Sequence, residues 1–146
     1  MDEVLMPGVK LTPLKIIALE VGDVLHGAKI SDAGLVGFGE AYFSKIKQGK
    51  IKAWKRHREM TLNVVVPVGE IRFVLYDDRT ESPARGKFFS VNLSLQNYQR
   101  LTIPPMIWMG FKGIGDDLNL LLNIASIPHD PKEADRLDIG SIRYDW

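Results

Sequence analysis

The chain has 146 residues, 45% of them hydrophobic and 25% charged, with a net charge of +1 and no cysteine. That size supports one domain with a sizeable core. The missing cysteines exclude disulfides, thiolate metal sites and cysteine nucleophiles, and they fit a cytoplasmic protein.

No apolar run approaches the roughly 18 residues of a membrane span, and the N-terminus "MDEVLMPGVKLTPLKIIALE" lacks the basic-then-apolar pattern of a signal peptide. The charge is uneven. Seven of the 19 Lys/Arg and none of the 18 Asp/Glu lie between Lys45 and Arg58, which leaves 12 cations against 18 anions elsewhere, a net −6. A local positive field in an acidic protein suits a small anionic partner, and it equally suits a solvated basic face.

Strand patterns rich in Val, Ile, Phe and Tyr follow one another in chain order between turn residues. They are "LKIIAL" (14–19), "GFGEAYFSKI" (37–46), "KIKAW" (50–54), "TLNVVVPV" (61–68), "EIRFVLYD" (70–77), "KFFSVNLS" (87–94), "QRLTIP" (99–104), "LNLLLNIAS" (118–126) and "SIRYDW" (141–146). Alternation puts Ile71, Phe73 and Leu75 on one face, and likewise Phe89, Val91 and Leu93. "QGK" (48–50) and "VGE" (68–70) each set a glycine where a hairpin turn needs one. Only "DPKEADRL" (130–137) reads as helical, for one or two turns, with Asp130 as cap and Pro131 as first residue. Many short strands in one domain predict an all-β sandwich or barrel, with any ligand site at the mouth.

Several chemistries are excluded. "GFKGIG" (110–115) is followed by a strand pattern, so no helix N-terminus is available for a phosphate. His26, His57 and His129 lack metal-site spacing, and no GxSxG elbow occurs. Asp77 and Asp78 are adjacent and point to opposite faces of a strand, which argues against a carboxylate dyad. Trp54 and Trp108 read as core residues, and Arg79 as the partner of a turn carboxylate. In "GEAYFSK", the face made by Glu40, Tyr42 and Ser44 is polar over three successive positions. It looks either to solvent, which spacing alone favours, or into a polar cavity.

Taken in order, these pieces resemble the dTDP-4-dehydrorhamnose 3,5-epimerase family, a branch of the cupin superfamily, from about Gly39 to Trp146. The resemblance rests on the polar strand ending in Ser44, "GKIKAWK" (49–55), "VGEIRFVLYDDRTESP" (68–83), "FFSVNLSLQNYQRLTIPP" (88–105), "GF" (110–111) and the tail "HDPKEADRLDIGSIRYDW". It implies a single cupin-type jelly-roll domain over residues 1–146 with one short C-terminal helix. It also implies a cytoplasmic homodimer that acts on a nucleotide-diphosphate sugar in polysaccharide synthesis, without metal, cofactor or nucleic acid. In that family a histidine base and a tyrosine acid move protons beside a ketone, and a nearby cation stabilises the enolate.

At the positions that carry this chemistry the chain departs from the pattern. Lys55 stands where the base histidine is expected, with His57 two residues on. Leu122 lies near the tyrosine position, and Met109 replaces the histidine before "GF". Lys52 matches the family's arginine. These departures argue against the parent 3,5-epimerisation. They leave a one-centre epimerisation or a 3,4-ketoisomerisation with His57, Lys55 and Tyr42 as catalytic residues. Lys52, Glu40, Ser44, Thr61, Asn63 and Arg79 are the expected substrate contacts. A non-catalytic sugar-nucleotide-binding cupin is the alternative. A nucleic-acid-binding barrel is a third reading, for which only Trp54 supplies an interleaved aromatic.

Overall fold

The computed structural model describes residues 6–146. Its strands are β1 (Lys10–Pro13), β2 (Ile16–Ile17), β3 (Val24–Leu25), β4 (Glu40–Lys45), β5 (Ile51–His57), β6 (Leu62–Val68), β7 (Ile71–Asp77), β8 (Phe88–Leu93), β9 (Gln99–Ile103), β10 (Ile107–Gly113), β11 (Leu120–Ala125) and β12 (Ala134–Arg136). One antiparallel sheet runs β1-β9-β6-β11-β4 and a second runs β12-β5-β10-β7-β8, with β2 and β3 forming a small separate ribbon. This is an all-β jelly roll of the cupin kind. Among the described residues no helix is long and apolar enough to cross a membrane.

The core lies between the two sheets. Ile71, Phe73 and Leu75 are fully buried there, as the alternation predicts, and Leu93 joins them with Phe89 and Val91 packed alongside. The glycine turns differ from expectation. β4 and β5 lie in different sheets, as do β6 and β7, so "QGK" and "VGE" are crossovers between sheets rather than hairpins. Both turns still need glycine, because Gly49 has φ +76° and Gly69 φ +80°. At Gly69 a Cβ would meet the Asn119 Oδ1 at 2.3 Å. The buried Asn119 side chain accepts from the Glu70 N–H and donates to the carbonyls of Ile46 and Gly115, so it ties these crossovers together.

The C-terminal stretch departs most from the sequence pattern. Asp130 caps a turn as expected, its Oδ1 accepting from the Lys132 N–H at 2.9 Å. The turn is a single 3-10 turn over Pro131–Glu133, however, and the chain then becomes the edge strand β12 on β5. "SIRYDW" forms no strand. Ile142, Tyr144 and Trp146 instead pack against Trp54, Val74 and Trp108 on the outer side of the second sheet.

Candidate active site

A cavity of about 540 Å³ opens between the sheets, a size that suits a small-molecule ligand. The first sheet lines it with Tyr42, Ser44, Leu62 and Asn123, and the second with Lys52, Ala53, Trp54, Lys55, His57, Met109 and Phe111. Arg136, Leu137 and Asp138 of the tail close one side.

Strand β5 brings the cations together through an irregularity. Met109 pairs with Lys55 and Phe111 with Lys52, so three residues of β5 span two of β10. In a regular strand Lys52 and Lys55 would face opposite ways; this bulge turns both inward. His57, two residues beyond Lys55, keeps the inward face.

His57 is held in place by a buried carboxylate. Its Nδ1 hydrogen-bonds the buried Glu133 carboxylate, whose other oxygen accepts from the N–H groups of Glu59 and Met60 at 3.2 Å each. Burial pushes the His57 pKa below its ordinary value, although Glu133 opposes this. Burial works to raise the Glu133 pKa, but the bonds from His57, Glu59 and Met60 outweigh it and hold the carboxyl below its ordinary range. The stable state near neutral pH is therefore a neutral imidazole that donates from Nδ1 to a carboxylate, which leaves the lone pair on Nε2. Among the described residues only Trp146 Nε1 is a sealed, unpartnered side-chain polar atom. The Nε2 of His57, also without a protein partner, is thus open to the cavity it lines.

Burial, with Arg136 beside it, holds the Lys55 ammonium below its ordinary pKa. Lys52 donates to the Lys45 carbonyl at 3.1 Å and sits 5.8 Å from the centroid of the Phe111 ring. Tyr42 comes from β4, across the cavity in the other sheet. Burial, reinforced by Glu40, raises its pKa, so its phenol remains a proton donor. Asn123 pairs with Tyr42 in register and donates to the Ser44 Oγ at 3.0 Å, which fixes that polar wall. The face that spacing assigned to solvent therefore lines the cavity at Tyr42 and Ser44.

Other expected contacts lie elsewhere. Glu40, at the end of β4, accepts from the His129 N–H. Thr61 and Asn63 have the wrong parity: Leu62 points inward, so its neighbours turn away. The Thr61 N–H donates to Ser126 Oγ at 2.9 Å, and the Asn63 side chain bonds Gly34, Arg100 and Thr102. Arg79 is held by Asp77 in a two-pronged pair at 3.0 and 2.9 Å, so its guanidinium serves the turn. Asp77 and Asp78 go separate ways, Asp78 accepting from Trp108 Nε1 at 3.0 Å.

Glu133, Asn123, Arg136 and Asp138 were missing from the expected set. The alternation of charges in "EADRLD" was the one available signal, and as a strand it separates Asp135 from Arg136. Register places Asp135 opposite Arg56 and Arg136 opposite Lys55. Outside the cavity, Asp135 accepts from Arg56 at 2.7 Å and Arg58 at 2.5 Å. Those bonds, the one from Arg58 foremost, hold its pKa down to about 2. Among the described residues no three His, Asp or Glu side chains converge on a metal-sized site.

Comparison with known proteins agrees with this architecture. The sequence profile described as dTDP-4-dehydrorhamnose 3,5-epimerase matches residues 28–145. A probable low-salt glycan biosynthesis epimerase of Haloferax volcanii is 36% identical over 111 residues, 73% of this chain and 71% of that protein. The spore coat polysaccharide biosynthesis protein SpsL of Bacillus subtilis is 26% identical over 75% of each chain. The crystal structure of a dTDP sugar isomerase from Desulfovibrio desulfuricans G20 superposes with a TM-score of 0.92 at 41% identity, covering 99% of this chain and 95% of that one. The chain belongs to the dTDP-4-dehydrorhamnose 3,5-epimerase family.

Proposed function

We propose that the protein epimerises or isomerises a nucleoside-diphosphate 4-keto-6-deoxy sugar, of the dTDP type, by moving a proton at the carbon beside the ketone. The observation that carries this reading is the His57–Glu133 pair, which leaves a free Nε2 lone pair facing the cavity. Nε2 takes the α-proton, and the bonding electrons flow to the carbonyl oxygen to form an enolate. The ammonium of Lys55 stabilises the developing charge. The Tyr42 phenol returns a proton from the opposite sheet. A ring held between the sheets presents one face to each residue, which is what inversion at a single carbon requires. Ser44 and Asn123 are placed for sugar hydroxyls, and Lys52 for an anionic group.

The test is exchange in heavy water with a panel of dTDP-4-keto sugars, followed by NMR. The expected result is deuterium entering at the carbon beside the ketone. Intact binding with no exchange would overturn the enzymatic reading and restore the non-catalytic binder, which the free Nε2 does not favour.

The relatives' roles support a part in glycan or surface-polysaccharide synthesis, and a chain without cysteine accords with a cytoplasmic location. A homodimer accords with β4 being a sheet edge flanked by exposed apolar groups, Val36 at 70%, Phe38 at 71% and Phe43 at 64%. Sedimentation velocity that finds only monomer at micromolar concentration would remove it.

A further inference from the structure

The tail sets a second cation against Lys55. Arg136 lies directly opposite Lys55 in the β12–β5 ladder, and both line the cavity. Like charges opposite one another across a strand pair are destabilising, yet among the described residues neither side chain has a carboxylate partner. The contrast with the next register position is sharp. There Arg56 opposes Asp135 and bonds it, and Arg58 closes on the same carboxylate. Asp138 lines the cavity two residues beyond Arg136 without pairing to it. Glu133, whose charge partly offsets the repulsion at Lys55, is hydrogen-bonded to His57.

A repelling pair without an ion-pair partner beside a cavity fits a ligand that brings the counter-charge. Depth assigns its place. Arg136 is exposed at the rim and Lys55 half-buried further in, on the strand that carries His57. We propose that Arg136 is a specificity residue that grips the diphosphate of the substrate at the cavity rim, with Lys55 between that group and the reacting sugar. The guanidinium fork matches two phosphate oxygens at once, which a lone ammonium cannot do. The sugar is thereby aimed inward, at His57 and Tyr42. This inference rests on the nucleotide-sugar reading for the identity of the ligand, and on the register and the missing counter-charge for its place.

Calorimetric titration of dTDP and of pyrophosphate into wild-type protein, Arg136→Ala and Arg136→Lys tests it, with melting curves as a folding control. The expected result is weakening of both ligands by about 10- to 100-fold in Arg136→Ala, partial recovery in Arg136→Lys, and no change in melting. Unchanged affinity in Arg136→Ala, or equal losses in both variants together with lowered melting, would overturn the assignment and leave the nucleotide-sugar reading intact. Wild-type protein that binds pyrophosphate through Arg136 and ignores dTDP would keep the anion site and remove the nucleotide. Binding of neither ligand overturns the inference.

Discussion

On the inner side of β5, Lys52, Lys55 and His57 open onto the cavity, whereas on the outer side Arg56 lies 4.6 Å from the Trp108 ring centroid and is paired with Asp135. The two sides draw on one cationic run and differ in what faces them. Outside, the tail supplies a carboxylate and aromatic surface, so the positive charge holds β12 in place. Inside, Lys55 meets Arg136 and the charge stays available. Part of the basic run is structural and part faces the cavity, and strand parity after the bulge decides which residue does which.

The largest expected effect falls on the inner side. His57→Asn keeps a donor for Glu133 and removes the base, so turnover should fall by about 10²- to 10⁴-fold while the melting temperature and dTDP affinity hold. In the active wild type, the depressed His57 pKa places the acid limb of kcat/KM below the ordinary histidine value of 6.5. The imidazole is the active base above that limb and is lost to protonation as pH falls through it. Full turnover in His57→Asn would mean that the inner side of β5 does not supply the base.

The next effect should fall on the outer side and leave the chemistry alone. Trp108 is 4% exposed, hydrogen-bonded to Asp78, and absent from the cavity wall. Trp108→Ala should cost about 3–5 kcal/mol of stability by urea unfolding, while kcat per folded molecule is retained. A variant as stable as wild type but inactive would mean that the two sides are not separable.

Much of this division follows patterns visible in the chain. The polar spacing of "GEAYFSK", the alternation of β7 and β8, and the cap at Asp130 all depend on neighbours within a few residues. The bulge does not, because "IKAWK" contains no glycine or proline and the extra residue is evident only against β10. Parity was equally hidden in "TLNVVV". Leu62, Val64 and Val66 face the inner core, and Val65 is as deeply buried on the other side, so Thr61 and Asn63 could be assigned to either face. Glu133 and Arg136 read as the surface of a short helix, because β12 forms only through pairing with a strand some eighty residues earlier. Local propensity had no access to that contact.

The smallest effect belongs to Asp135, on the outer side. Its pKa of about 2 lies below the ordinary 3.8 because Arg58 and Arg56 both bond the carboxylate. A carboxyl lowered on folding stabilises the fold fully above its unfolded value and loses that contribution as pH falls toward its folded value. Asp135→Asn should therefore lower the melting temperature at pH 7 by only about 2–4 °C, as expected for solvent-screened pairs. The gap to wild type should stay constant down to about pH 5 and narrow steadily below about pH 4. A gap that persists undiminished at pH 3 would mean that Asp135 acts through packing rather than charge. The clamp that orders β12, and with it Arg136 and Glu133, would then be the apolar tail on Trp54 and Trp108.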